Sequence, residues 1–311
     1  MNTAKKYSGV VVPMMTPFTA QQQVDAPAVQ RLVDHLIKGK TFPFILGTTG
    51  EAASIPHRER KRLVEETVKA AAGRSLVYAG ISGNSLQESA EEGKLYHDLG
   101  AGALVATMPS YYPVTPDQML RYFGALADRL PCPLIIYNIP ATTHLSIPLE
   151  VVDKLSAHPN IAGFKDSEKG EERIAAATAL WKHRTDFSYL LGWALKSQSA
   201  LEQGADGIIP SSGNLAPVVY QAIYEAASTG NSAAAALAQQ KGDRISEMYQ
   251  KNRILSQSLA AFKAMLSAYG LCGPDVLPPL YRLPAAEEQQ LMQQVRNVFG
   301  DLEKINSTDH E

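Results

Sequence analysis

The sequence contains little cysteine and no long hydrophobic run. Its two cysteines, Cys132 and Cys272, are far apart and too few for a disulfide framework or a zinc site. A reducing compartment is the simplest interpretation, so we expect a cytoplasmic protein. No stretch approaches the roughly 20 consecutive apolar residues that a membrane-spanning helix needs. We therefore expect no membrane partner.

The charge balance argues against another class of partner. Lysine and arginine total 29, aspartate and glutamate total 31, and the net charge at pH 7 is −2. A protein that neutralises the phosphates of a polynucleotide needs a basic surface. We therefore expect no nucleic-acid partner.

Signatures of metal and nucleotide chemistry are missing as well. The seven histidines are scattered along the chain, and none are spaced like zinc ligands. Gly39-Lys40-Thr41 looks like the end of a phosphate-binding loop, but Asp34 stands where that loop requires glycine. We expect neither a metal ion nor a bound cofactor.

The first 230 residues alternate short apolar runs with longer amphipathic segments. This alternation is typical of parallel strands covered by helices, and eight repeats close a (β/α)8 TIM barrel. An open, doubly wound α/β sheet is the alternative. The eight predicted strands are residues 10–14, 43–46, 76–79, 103–107, 134–137, 161–164, 188–191 and 207–209.

Beyond residue 230 the pattern is helical throughout. We predict helices over residues 232–251, 255–269 and 285–302, separated by glycine and proline residues that stop helices. The sequence thus predicts an α/β protein with two parts. Residues 1–230 form the barrel, and residues 231–311 form a C-terminal helical appendage.

Three predicted strands end near polar residues that suit catalysis, which in a barrel occurs at the carboxyl ends of strands. Thr48 and Thr49 follow the second strand, where hydroxyl and backbone N–H groups can hold a carboxylate or phosphate oxygen. Tyr137 ends the fifth strand, and its phenol can donate and accept a proton. Lys165 closes the sixth, and burial would lower its pKa and make the amine nucleophilic.

Each of these features also has a structural explanation when it is taken alone. The glycines beside Thr48 and Thr49 fit an ordinary turn. Tyr137 fits a core tyrosine with its hydroxyl bound to a neighbour. Lys165 fits a lysine that reaches the rim of the barrel or pairs with Asp166.

The combination favours catalysis. Tyr137 and Lys165 end consecutive strands, so we expect them to be neighbours at the mouth onto which the threonine loop opens. An amine nucleophile, a phenol that moves protons and a carboxylate-binding loop are what an imine-forming lyase of 2-keto acids needs. We therefore predict that the barrel is the catalytic part.

The chain also resembles a known family over nearly its whole length, since the helical appendage fits as well. Six segments within about the first 215 residues carry the resemblance, in that family's order. They are Val12-Pro13-Met14-Met15-Thr16-Pro17-Phe18, Gly47-Thr48-Thr49-Gly50-Glu51, Pro109-Ser110-Tyr111-Tyr112-Pro113, Tyr137-Asn138-Ile139-Pro140, Gly163-Phe164-Lys165-Asp166-Ser167 and Gly204-Ala205-Asp206-Gly207. The chain resembles the pyruvate-dependent class I aldolases typified by dihydrodipicolinate synthase and N-acetylneuraminate lyase.

This resemblance implies roles for the matched residues. Lys165 would form a Schiff base with the keto carbon of pyruvate or of a pyruvate-yielding substrate, so no separate cofactor is implied. Thr48 and Thr49 would hold the carboxylate, and Tyr137 would donate and accept protons. Tyr111 matches a tyrosine that neighbouring subunits insert into each other's proton relay, which implies a homotetramer built as a dimer of dimers.

Further matched positions concern the substrate. Ile209 matches a backbone contact to the keto acid, and Ser211 and Ser212 lie where sugar-acid enzymes of the family contact hydroxyls. His144 and Trp193 would shape the pocket for the second substrate. For His144, a loop position facing solvent is an equally good interpretation.

Two departures from the family pattern narrow the substrate. Synthases of lysine biosynthesis carry an arginine where this chain has Thr142, and threonine cannot bind a carboxylate through two parallel N–H donors. Sialic acid lyases carry an Asp-Glu pair where this chain has Ala194 and Leu195. The resemblance therefore favours an aldolase or dehydratase of 2-keto-3-deoxy sugar acids, with pyruvate and an aldehyde as partners.

Several alternatives remain open at this point. A relative could act on an aromatic or hydroxyproline-derived substrate. The chain could instead be 4-hydroxy-tetrahydrodipicolinate synthase working despite Thr142, or a non-catalytic sensor that binds a keto acid. A metal-dependent aldolase is the weakest alternative, because a lysine imine already serves as the electron sink.

Overall fold

The first strand pairs with both the second and the eighth, so the sheet closes on itself. The computed structural model describes residues 5–307, and its parallel strands follow one another around the barrel in sequence order. The predicted (β/α)8 barrel is confirmed, and the open sheet is excluded. The strands are β1 (Gly9–Pro13), β2 (Phe42–Ile45), β3 (Tyr78–Gly80), β4 (Ala103–Thr107), β5 (Leu134–Asn138), β6 (Ile161–Asp166), β7 (Ser188–Leu191) and β8 (Gly207–Ile208).

Helices connect the strands on the outside of the barrel. Local sequence explains where several begin: the Asp25 carboxylate accepts a hydrogen bond from Ala28 N–H, and Thr115 and Gln118 form a reciprocal capping box. The helices are α1 (Ala26–Lys38), α2 (His57–Ala71), α3 (Leu86–Asp98), α4 (Pro116–Ala127), α5 (Pro140–Thr143), α6 (Leu149–Leu155), α7 (Glu171–Trp181), α8 (Ser197–Gln203) and α9 (Pro217–Ser228).

Side chains alternate between the two faces of each strand, which produces two apolar layers. The barrel interior is filled by one cluster, which includes Phe44, Ile135 and Tyr137. Residues on the opposite face, such as Ile136 and Phe164, pack in a second cluster between the strands and the helices. The residue after Phe164 therefore points into the barrel, and that residue is Lys165.

The C-terminal helices continue from the outer layer, and α10 packs along α9. They are α10 (Ser232–Gln250), α11 (Leu255–Ala268), α12 (Ala285–Phe299) and α13 (Leu302–Ile305). The helix predicted over residues 285–302 ends early because Gly300 adopts a φ of 74°, which stops the helix before α13 begins. The helical appendage is confirmed as structure, whereas its separation from a catalytic part at residue 230 stays a prediction.

Three further features of the described residues concern membranes, metal ions and cysteines. No helix within residues 5–307 is both long and apolar enough to cross a membrane. Over the same range, no group of three or more His, Cys, Asp or Glu side chains is arranged to hold a metal ion. Both cysteines are free and buried.

Candidate active site

Lys165 lies in β6 with its side chain inside the carboxyl end of the barrel. The residue is 3% exposed, and its ammonium nitrogen lies 3.6 Å from the centre of the Tyr137 ring and 4.8 Å from that of Phe44. No carboxylate among residues 5–307 lies within ion-pairing distance of this nitrogen. Burial therefore holds the pKa of Lys165 below its usual value, although the neighbouring Tyr137 opposes the shift.

Asp166 does not serve as the counterion of Lys165. Its carboxylate accepts hydrogen bonds from Arg173 Nε at 2.7 Å, Asn138 Nδ2 at 2.9 Å and Glu168 N–H at 3.0 Å. Asp166 is the next residue along β6, so its side chain points to the opposite face. The two structural explanations for Lys165, a rim position and a pair with Asp166, are both wrong.

Tyr137 stands directly beside Lys165. The two residues are partners in the β5–β6 register, as their positions at the ends of consecutive strands predict. The Tyr137 hydroxyl lies 3.4 Å from the Thr48 hydroxyl. This contact connects the phenol to the loop that follows β2.

The loop after β2 is a tight turn, which we call the threonine turn (residues 47–51). The Thr49 hydroxyl lies 3.0 Å from that of Ser211, in the loop that follows β8. A Cβ atom at Gly50 would lie 2.9 Å from the Met14 carbonyl oxygen, so the turn can approach β1 only with glycine there. The turn thus places two hydroxyls at the mouth that holds Lys165 and Tyr137.

The β8 side of the mouth carries three of the predicted residues. Ile209 belongs to the interior cluster, and its N–H donates to the Leu191 carbonyl at 2.7 Å, so its backbone can offer a ligand only the carbonyl oxygen. The Ser212 hydroxyl lies 2.6 Å from the Ser246 hydroxyl of α10. The structure thus brings Ser211 to Thr49 and engages Ser212 with α10.

Two predicted residues lie at the surface of the described chain. Tyr111 is 76% exposed, and its ring contacts that of Tyr112 edge to face. His144 is also exposed and ends α5 with a φ of 57°. Their predicted roles depend on a second chain or a ligand, and both stay predictions.

A cavity of about 560 Å³ opens beside Thr48 and Tyr137. Its wall combines Thr142 and Thr143 of α5 with Leu255 and Leu259 of α11. Among the described residues that line it, Arg60 is the only lysine or arginine. Because the Arg60 guanidinium already donates to Glu92 and to the carbonyls of Ile55 and Ala52, the cavity presents little unpaired positive charge.

Two parts of the site were not foreseen from the sequence. Phe44 provides one of the rings around Lys165, and alternation along β2 could have placed it inside the barrel. Glu51, in the threonine turn, pairs with Lys263 of α11. No local pattern relates these two residues, because they are far apart in the sequence.

Comparison with known proteins places this chain in a family. A model described as the dihydrodipicolinate synthetase family matches residues 6–298. A 4-hydroxy-tetrahydrodipicolinate synthase from Syntrophus aciditrophicus is 29% identical over 292 residues, covering 94% of this chain and 98% of that protein. One from Hyphomonas neptunium is 30% identical over 294 residues, covering 92% of this chain and 96% of that protein.

Solved structures agree with the sequence relatives. YagE, a prophage protein of the dihydrodipicolinic acid synthase family from E. coli K12 solved with pyruvate, is 29% identical, with a TM-score of 0.88 over 94% of this chain and 99% of that one. The dihydrodipicolinate synthase of Bacteroides thetaiotaomicron is also 29% identical, with a TM-score of 0.89 over 95% of this chain and 100% of that one. The chain therefore belongs to the dihydrodipicolinate synthetase family of pyruvate-dependent lyases.

Proposed function

We propose that this protein cleaves or forms a 2-keto-3-deoxy sugar acid through a Schiff base on Lys165, with pyruvate as product or co-substrate. Family members use a covalent lysine Schiff base with pyruvate and no metal cofactor. The observation that carries the proposal is the environment of the Lys165 amine. The amine is buried between aromatic rings, and no carboxylate among residues 5–307 lies within ion-pairing distance of it. Such an environment favours the neutral, nucleophilic amine.

The proposed reaction begins with attack of the Lys165 nitrogen on the keto carbon. Loss of water gives a protonated imine, which withdraws electrons from the bond between the third and fourth carbons. That bond breaks as the hydroxyl on the fourth carbon loses its proton, which yields an aldehyde and an enamine. Protonation of the enamine and hydrolysis of the imine then release pyruvate and restore the amine.

The neighbouring groups suit the remaining tasks. Tyr137 would carry protons to and from the reacting hydroxyls, since its phenol adjoins both Lys165 and Thr48. Thr48 and Thr49 would bind the keto-acid carboxylate, with Ile209 contributing its carbonyl oxygen. Ser211 would contact a substrate hydroxyl beside Thr49, and Ser212 and His144 would complete the substrate pocket.

The choice of a sugar acid rests on the cavity beside Thr48 and Tyr137. Thr142 lines this cavity, and Arg60 there is already bound to Glu92. A partner with hydroxyl groups fits this lining better than one with a second carboxylate, which requires a free cation. The compartment, proposed as cytoplasmic, rests on the low cysteine content. The proposed homotetramer sharing Tyr111 rests on the resemblance.

A second candidate is 4-hydroxy-tetrahydrodipicolinate synthase. The curated relatives that bear this name, at 29% and 30% identity, favour it. Turnover of pyruvate with aspartate semialdehyde separates it from the sugar-acid lyase. A keto-acid sensor is a third candidate, and it would bind pyruvate without turnover on any aldehyde.

Trapping with borohydride tests the central proposal. Reduction in the presence of pyruvate is expected to add one stable adduct to the wild-type protein, detected by mass spectrometry, and none to Lys165→Ala. A panel of 2-keto-3-deoxy sugar acids, with pyruvate release as readout, then identifies the substrate. An unmodified wild-type protein would contradict the Schiff-base mechanism.

A further inference from the structure

A buried ion pair joins the threonine turn to the C-terminal helices. The Glu51 carboxylate lies 2.5 Å from the Lys263 ammonium, and both side chains are fully inaccessible to solvent. Replacing one charge of a buried pair leaves the other without a counterion, which destabilises the fold. Replacing both charges with well-packed apolar side chains, in contrast, often leaves the fold equally stable or more stable. A requirement for defined distance and direction therefore explains this pair better than stability does.

The remaining polar contacts of the pair come from the same C-terminal region. The second Glu51 oxygen accepts a hydrogen bond from Leu277 N–H at 2.8 Å. Lys263 donates to the Asp275 carbonyl at 2.6 Å, and its nitrogen lies 4.2 Å from the centre of the Phe18 ring. Glu51 is thus held from α11 and from the segment that follows it.

The backbone of Glu51 is hydrogen-bonded to the backbone of the threonine turn. Glu51 adopts a left-handed φ of 59°, and its N–H donates to the Thr48 carbonyl at 3.1 Å. On the other side, the Thr16 hydroxyl donates to the Gly50 carbonyl at 2.7 Å. A shift of Glu51 would therefore displace Thr48 and Thr49, because all three belong to one short turn closed by these hydrogen bonds.

The partner of Thr49 is braced in a similar way. Ser211, which contacts Thr49, precedes Ser212, and the Ser212 hydroxyl is bound to Ser246 of α10. Tyr249 of the same helix lies 3.4 Å from the Ser212 hydroxyl. Both loops that meet at the Thr49–Ser211 contact are consequently anchored to C-terminal helices.

We propose that Glu51 and Lys263 are positioning residues, which hold the hydroxyls of Thr48 and Thr49 in the geometry that binds the keto-acid carboxylate. This inference rests on the proposed function. The C-terminal appendage is then part of the pyruvate-binding apparatus rather than a separate structural addition. Misplacement of bound groups by about 1 Å can cost about 100-fold in enzymes, so the effect should be measurable.

The test compares the pyruvate dependence of borohydride trapping in Lys263→Met and Glu51→Gln with that of the wild type. We expect the half-saturating pyruvate concentration to rise by about 10- to 100-fold, because carboxylate binding is impaired. The trapping rate at saturating pyruvate should change less than about threefold, since Lys165 and Tyr137 belong to β6 and β5 and not to the threonine turn. If the ion pair served stability alone, the half-saturating pyruvate concentration would not rise while the saturating rate stayed nearly constant.

Lys5→Met is the matched control, because it breaks another ion pair of low exposure, between Lys5 and Asp206. Lys5→Met should keep the wild-type half-saturating concentration. The inference is overturned if folded Lys263→Met and Glu51→Gln stay within about twofold of wild type, if Lys5→Met shows the same rise, or if neither test variant folds. Absence of trapping in the wild type would instead overturn the proposed function itself.

Discussion

Each end of the barrel holds a lysine of low exposure, but the surroundings differ. At the carboxyl end, Lys165 lies against the rings of Phe44 and Tyr137. At the amino end, just before β1, Lys5 donates to the Asp206 carboxylate at 2.8 Å and to the carbonyls of Trp181 and Phe187. One ammonium is surrounded by aromatic carbon, whereas the other is bound by three oxygens.

Under the proposed function, this difference separates a reactive amine from a structural one. Burial without a counterion destabilises the ammonium form, so the pKa of Lys165 falls. Lys5 instead has the Asp206 carboxylate and two backbone carbonyl oxygens as partners, so its nitrogen is engaged in contacts that hold the structure together. The sequence places both lysines near strands, and only the tertiary structure shows that Lys5 meets oxygen atoms whereas Lys165 meets aromatic rings.

After the complete loss of trapping expected for Lys165→Ala, the largest expected effect is at Tyr137, the polar neighbour of Lys165. Tyr137→Phe removes the hydroxyl but keeps the ring, so we expect turnover to fall by about 10²- to 10³-fold through loss of proton transfer. Steady-state release of pyruvate measures this. Tyr189→Phe is the control, because the Tyr189 hydroxyl has no hydrogen-bond partner among residues 5–307. Equal activity of the two variants would remove Tyr137 from the mechanism.

The next effect is a loss of protein stability on changing Lys5 at the amino end of the barrel. Lys5→Met leaves the Asp206 carboxylate without its counterion, so we expect the free energy of unfolding to fall by about 2–4 kcal/mol. Urea denaturation followed by circular dichroism measures the loss. Turnover of the folded variant should equal that of the wild type. A loss of activity without a loss of stability would show that the amino end takes part in the chemistry.

The smallest effect is a shift in the pH dependence of borohydride trapping. Below its pKa the Lys165 amine is protonated and cannot attack, so the trapping rate rises with pH through that pKa. Because burial lowers the pKa of Lys165, the midpoint of this rise should lie below the value of about 10.4 for an ordinary lysine. Nα-acetyllysine amide, trapped under the same conditions, gives the reference. Coincident midpoints would show that the Lys165 environment does not activate the amine.

The local sequence predicted the orientation of a side chain correctly wherever that orientation follows from strand alternation or from the position of a residue at a strand end. Alternation in β5 places Ile135 and Tyr137 on one face, and consecutive strands place Tyr137 beside Lys165, as the register shows. Phe44 was missed although the same rule applies to it, since an apolar ring gives no chemical signal by itself. The roles of Tyr111 and His144 stay predictions, because they require a second chain or a ligand.

The sequence by itself determined the barrel, the helices that follow it, and the residues that end its strands. Hydrophobic period and turn residues are local properties, so they can be read along the chain. Only the tertiary structure decided what each buried charge contacts. Glu51 pairs with Lys263 and Asp166 with Arg173, whereas Lys165 lies against aromatic rings. Burial and pairing depend on residues from distant segments, and these set the pKa of a lysine and hence its reactivity.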